Sequence, residues 1–206
     1  MIFLVLTNLT LLGSSRIATC IRVVAAQGVV LGILPLLLHR GDWTWQPILL
    51  SAAMVAIKGG VFPWLLFRAL REVNVKREVE PFVGYGISLV MGPVVLASCF
   101  WIGSKLKIPG EVISSMVVPS AMFMILVGLF LIVSRKKALT QVLGYLVMEN
   151  GIFAFGVEIA KHQPYLVELG ILLDVFVAVF VMGITIFRIS REFDHIDTDR
   201  LTSLRS

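Results

Sequence analysis

"GYLVMENGIF", residues 144–153, sets Glu149 and Asn150 inside an otherwise apolar run. The run covers residues 138–158. Arg135, Lys136 and Lys137 bound it on one side, and Lys161, His162 and Gln163 on the other. About 20 predominantly apolar residues, coiled as a helix, are enough to cross the hydrocarbon core of a bilayer. Reading this run as a membrane span decides the fold class. It also raises a chemical question, because an ionisable side chain at the centre of a span costs about 2.5–3.5 kcal/mol on insertion scales.

The rest of the chain repeats the pattern. Of its 206 residues, 58% are hydrophobic and 15% charged, with mean hydropathy +0.94. An average soluble domain is about 45–50% apolar and about 25% charged. Seven apolar runs are expected as spans: 1–15, 20–38, 46–67, 81–103, 112–134, 138–158 and 165–188. The prediction is an all-α membrane protein of about seven transmembrane helices. They divide into a four-helix region over 1–110 and a three-helix region over 111–206 that carries the C-terminal tail. The longest polar linker is "RALREVNVKREVE", residues 68–80. The opening "MIFLVLTNLTLL" lacks a basic n-region and an A-x-A site, so it reads as a span rather than a cleavable signal.

Basic residues set the orientation. With seven spans, Arg16, Arg22, Arg68, Arg71, Lys76, Arg77, Arg135, Lys136, Lys137, Arg188, Arg191, Arg200 and Arg205 fall on one side. Arg40, Lys105, Lys107 and Lys161 fall on the other, and Lys58 lies within a span. The richer side is expected to face the cytoplasm, which puts the C-terminus inside and the N-terminus outside. A six-span arrangement without the first run leaves Arg16 and Arg22 on the same side. Trp43, Trp45 and Tyr165 fit an outer aromatic belt.

Three ionisable residues lie within spans: Lys58, Glu149 and Asp174. Lys58 is ten residues from Arg68, Glu149 twelve from Lys137 and Asp174 fourteen from Arg188. At about 1.5 Å per residue, these separations are roughly 15, 18 and 21 Å, one depth near mid-membrane. Such groups are rare and usually functional. A shared layer of them, with Asn150, Gln141 and Gln27 bonding water between, suits proton transfer. A fixed Lys–carboxylate pair that specifies helix packing is the alternative. Glu158 and Glu168 lie nearer the outer surface, about 32 and 30 Å from the same markers. They are either solvated interfacial carboxylates or, with His162, an outer proton exit.

Helix punctuation adds detail. Pro35, Pro63, Pro93 and Pro119 fall inside spans, where proline is tolerated and shapes packing. "KGGVFP", residues 58–63, is expected to weaken the helix beside Lys58, in the manner of discontinuous helices that form ion sites. Gly84, Gly86, Gly92, Gly128 and Gly144 are expected at close helix contacts. Cys20 and Cys99 form no CxxC pair and read as small buried hydrophobes. Iron–sulfur clusters take about four thiolates, so none is expected in this chain. There is no P-loop, HExxH, GxSxG or His/Cys cluster with metal spacing. No basic run interleaves with exposed aromatics, so nucleic acid is not an expected partner.

"SRKKALTQVLGYLVMENGIFAFGVE", "LVELGILLDVFVAVFVMGITIFRI" and "HIDTDRLTSLRS" resemble the hydrogenase-4 component E family, membrane subunits of group 4 [NiFe]-hydrogenase complexes such as formate hydrogenlyase. "AIKGGVFPWLLFRAL" is similar to that family's lysine-bearing span. The last three spans also resemble the NuoK subunit of respiratory complex I and the MrpC subunit of cation antiporters. NuoK-type chains carry a glutamate in each of their second and third spans. Here Leu146 stands at the position matching the first, Glu149 lies about one turn later, and Asp174 is displaced from the final span's match.

The resemblance implies a subunit of a proton-translocating complex in the cell inner (cytoplasmic) membrane, beside antiporter-like and other membrane subunits, soluble hydrogenase subunits and lipid. The nickel–iron centre and iron–sulfur clusters would belong to partner subunits. This chain would hold no cofactor, metal or catalytic residue of its own. The expected proton path comprises Glu149, Asp174, Lys58, Asn150, Glu158, Glu168 and His162. A passive structural subunit and a stand-alone ion transporter are the alternatives.

Overall fold

In lipid, backbone groups have no water to bond, so an apolar run of this length satisfies them internally by coiling as a helix. The computed structural model describes residues 1–38, 45–73, 81–106 and 116–159. Their helices are α1 (Ile2–Gly13), α2 (Ile17–Leu38), α3 (Trp45–Ala56), a π-helical turn (Ile57–Val61), α4 (Phe62–Val73), α5 (Tyr85–Lys105), α6 (Val117–Ser134) and α7 (Ala138–Ile159). The π turn joins α3 to α4 without a break in the helix.

Among the described residues, five segments are long and apolar enough to span a membrane: Ile17–Leu34, Ser51–Arg71, Tyr85–Lys105, Val117–Ser134 and Ala138–Val157. The chain is a multi-pass membrane protein. The first expected span forms a helix of only 12 residues. At about 18 Å it is shorter than a hydrocarbon core of about 30 Å. The seventh expected span, 165–188, lies outside the described residues.

Among the described residues, the buried apolar side chains form two separate clusters. One contains Leu4, Leu31, Met54, Met124 and Phe153. The other contains Leu12, Val24, Phe62, Leu66, Val127 and Leu146. On four helices, the residue one turn from the first cluster toward the second is polar and buried. Leu4 leads to Asn8, Leu31 to Gln27, Met54 to Lys58 and Phe153 to Glu149. Sequence numbers rise through this series on α1 and through the π turn, and fall on α2 and α7. The antiparallel helices therefore bring these four residues to one level, with apolar packing on either side.

Close backbone approach shapes two contacts. A Cβ added at Gly128 of α6 would meet the Met148 backbone nitrogen and, at 2.6 Å, the Gly144 carbonyl oxygen of α7. A Cβ at Gly144 would in turn stand 2.9 Å from the Gly128 oxygen. Small residues let membrane helices approach this closely, and α6–α7 is the most extensive pairing in the fold. Gly92 likewise packs against Leu9 and Leu12, as expected, whereas Gly84 and Gly86 have nothing within 4 Å of an added Cβ. Gly84 instead precedes α5 in extended backbone, and Gly86 opens onto the helix surface.

Arg135 departs from its expected place as a solvated loop cation. It is 1% exposed, and its Nη2 donates to the Leu12 carbonyl at 3.0 Å. Its guanidinium lies 4.4 Å from the Tyr85 ring centroid. Leu12 is in the last turn of α1, where carbonyls lack helical partners and a cation is favoured. Arg135 therefore joins the C-terminal ends of α1 and α6 to the start of α5.

Candidate functional site

Lys58 occupies the second position of the π turn Ile57–Val61. The turn's wider register is visible where the Phe62 N–H donates to the Ile57 carbonyl, five residues back. Pro63 supplies no N–H to the same stretch. The expected weak point beside Lys58 is thus a continuous helix with one expanded turn, a feature frequent at functional sites. Gly28 on α2 makes room for it, since a Cβ there would stand 2.6 Å from Lys58 Cβ.

From this position Lys58 reaches α7. Its Nζ donates to Glu149 Oε1 at 2.7 Å and to Asn150 Oδ1 at 3.0 Å. The ammonium also lies 5.6 Å from the Phe153 ring centroid. Lys58, Glu149 and Asn150 are 4%, 2% and 2% exposed. Glu149 Oε2 is buried without a hydrogen-bond partner among the described residues. A narrow cleft runs from Lys58 and Asn150 between α2, α4 and α7, lined by Ile21, Val24, Phe62 and Leu66. On the opposite side the pair abuts the cluster of Leu4, Leu31, Met54 and Phe153.

The arrangement joins a cation and an anion in the protein interior, with one carboxylate oxygen uncommitted. Removing either charge breaks a buried ion pair, which is strongly unfavourable.

The structure brings together three of the expected path residues: Lys58, Glu149 and Asn150. Asp174, Glu168 and His162 lie outside the described residues. Glu158 falls in the last turn of α7, and its side-chain surroundings also lie outside them. Gln141, expected among the mid-membrane groups, instead donates from Nε2 to the Arg135 carbonyl at 3.0 Å, near the start of α7. It caps the end of α6 there. Gln27 is fully buried, and its Nε2 donates to Thr7 Oγ1 at 2.8 Å and to Asn8 Oδ1 at 3.2 Å. The sequence reading missed Asn8. The available signal was an amide inside "MIFLVLTNLTLL". Among the described residues, no group of three or more His, Cys, Asp or Glu side chains is placed to hold a metal.

Residues 116–206 match the family described as NADH-ubiquinone/plastoquinone oxidoreductase chain 4L. Over 205 residues the chain is 34% identical to Rv0085 of Mycobacterium tuberculosis, covering 98% of this chain and 92% of that protein. Over 160 residues it is 28% identical to hydrogenase-4 component E of Escherichia coli, covering 78% of this chain and 74% of the relative. The component of that name in Shigella flexneri matches to the same extent. No solved structure matches the chain.

Proposed function

The chain belongs to the hydrogenase-4 component E family, with a chain 4L-type domain at its C-terminal end, and on that premise we propose that it is the membrane subunit of a proton-translocating, hydrogenase-type complex. Lys58, Glu149 and Asn150 form the mid-membrane part of its proton path. Asp174 belongs to the same mid-membrane layer, and Glu158, Glu168 and His162 extend the path toward the outer surface. Nickel–iron and iron–sulfur chemistry belongs to partner subunits, and antiporter-like membrane subunits lie alongside. The C-terminus faces the cytoplasm and the N-terminus the outside, in keeping with the excess of basic residues on one side.

One observation carries this reading: the 2.7 Å buried pair between Lys58 and Glu149, with Glu149 Oε2 still uncommitted. A proton arriving at Oε2 neutralises the carboxylate and removes the partner charge of Lys58. The ammonium then keeps the Asn150 carbonyl oxygen as an acceptor but loses the compensating charge of the carboxylate. Release of its proton relieves that imbalance, and return of a proton to Lys58 draws one off Glu149. The pair works as a two-position relay. The cleft beside Lys58 and Asn150 supports access from the end that carries Arg68 and Arg71.

The test is proton translocation by membranes containing the complex with Glu149→Gln in this chain. Hydrogen turnover is expected to persist while coupled proton movement falls at least tenfold. Unchanged coupling would overturn the proposal. A second reading, a passive subunit that ties helices together, draws on the full burial of the pair and its Asn150 bond. Infrared difference spectroscopy separates the two. A relay gives a carboxyl band during turnover that disappears in Glu149→Gln, and a permanent pair gives none.

A further inference from the structure

The polar layer has a second half that the ion pair does not use. Asn8 and Gln27 are both 0% exposed, deeper than most of the apolar core. Amide side chains are seldom buried without partners, and these two are joined across α1 and α2. Asn8 Nδ2 donates to the Leu4 carbonyl at 2.9 Å, which fixes the amide so that its Oδ1 faces Gln27. Gln27 Nε2 is shared between Asn8 and Thr7. Gln27 Oε1 is buried and has no hydrogen-bond partner among the described residues.

Two buried acceptors at one level are therefore uncommitted: Gln27 Oε1 and Glu149 Oε2. Each lies one turn from the same apolar cluster, through Leu31 and Phe153 respectively. Gly28, adjacent to Gln27, is the residue against which Lys58 packs. A buried acceptor without a donor costs about 1–3 kcal/mol. Water is the small donor that meets this need, and it typically makes about three bonds where polar partners converge.

We propose that Gln27, held in place by Asn8 and Thr7, is a water-binding residue whose Oε1 shares buried water with Glu149 Oε2, so that the polar layer is hydrated from α1 across to α7. Gln27 does not titrate, and it acts by positioning the water that delivers a proton to Glu149. That role in the path rests on the function proposed above; the water site itself does not.

Water-edited solid-state NMR on the full-length chain in lipid bilayers tests the site, with water as the probe. Magnetisation is expected to pass from water to the side chains of Gln27, Glu149 and Lys58. Transfer to Lys58 and Glu149 but not to Gln27 would overturn this inference and leave the relay standing. Transfer to none of the three would overturn both. The infrared carboxylate bands of Glu149, assigned by their loss in Glu149→Gln, give a second readout. Gln27→Leu should shift them, while Ser98→Ala, which removes an exposed hydroxyl on α5 away from the polar layer, should leave them in place. A folded Gln27→Leu chain with unmoved bands would count against the shared water, and Gln27→Leu failing to fold would leave the NMR result to decide.

Discussion

Lys58 Nζ and Glu149 Oε1 lie 2.7 Å apart across 91 residues of sequence, in the interior between the π turn and α7. Both side chains are buried, at 4% and 2% exposure. Lys58→Met and Glu149→Gln should each destabilise the chain by about 3–5 kcal/mol, because each breaks a buried ion pair. The double variant should recover most of that loss. Unfolding in mixed detergent micelles, run as a double-mutant cycle, checks the coupling.

The contact between Gly28 and Lys58 should also be sensitive, though less so than the ion pair. Gly28→Ala places a methyl 2.6 Å from Lys58 Cβ, and the close-packed interior offers little room to shift. A loss of about 1–3 kcal/mol is expected. Gly60→Ala is the matched control, since an added Cβ there meets nothing within 4 Å. It should be neutral or stabilising by up to about 1 kcal/mol, through helix propensity. Thermal unfolding of both variants in the same detergent decides the comparison.

Arg135 should behave as a structural cation. Its bond to the Leu12 carbonyl and its place over Tyr85 are buried, so Arg135→Ala should cost about 1.5–3 kcal/mol. The loss should concentrate in α1, seen as faster backbone hydrogen exchange near residues 10–13. Lys136→Ala, outside that buried contact, should leave exchange in α1 unchanged.

The apolar cluster beside the pair should act as a seal. Leu31 and Met54 are 0% and 1% exposed and stand one turn from Gln27 and Lys58. Met54→Gln puts a hydrogen-bonding side chain into that barrier. Passive proton leak through liposomes containing the chain should rise several-fold. A leak equal to that of the unaltered chain would show that the seal lies elsewhere.

Much of this was legible in the sequence, residue by residue. The apolar runs located α2, α5, α6 and α7 to within a few residues, because lipid leaves the backbone little choice but a helix. The rise per residue put Lys58 and Glu149 at one depth. Gln141 is expected with Gln27 among the mid-membrane groups, yet it sits only four residues, about 6 Å, from Lys137, and it caps the end of α6 while Gln27 lies in the polar layer.

The sequence by itself determined that this chain spans a membrane many times and buries charge midway, because hydrocarbon penalises both open backbone and lone ions. Only the tertiary structure decided which of those groups meet. Depth along a helix follows from counting residues, but rotation about its axis and the choice of neighbour depend on how all the helices pack. That packing sets Gly28 against Lys58, turns Lys58 through a π register toward Glu149, pairs Asn8 with Gln27 and draws Arg135 inside.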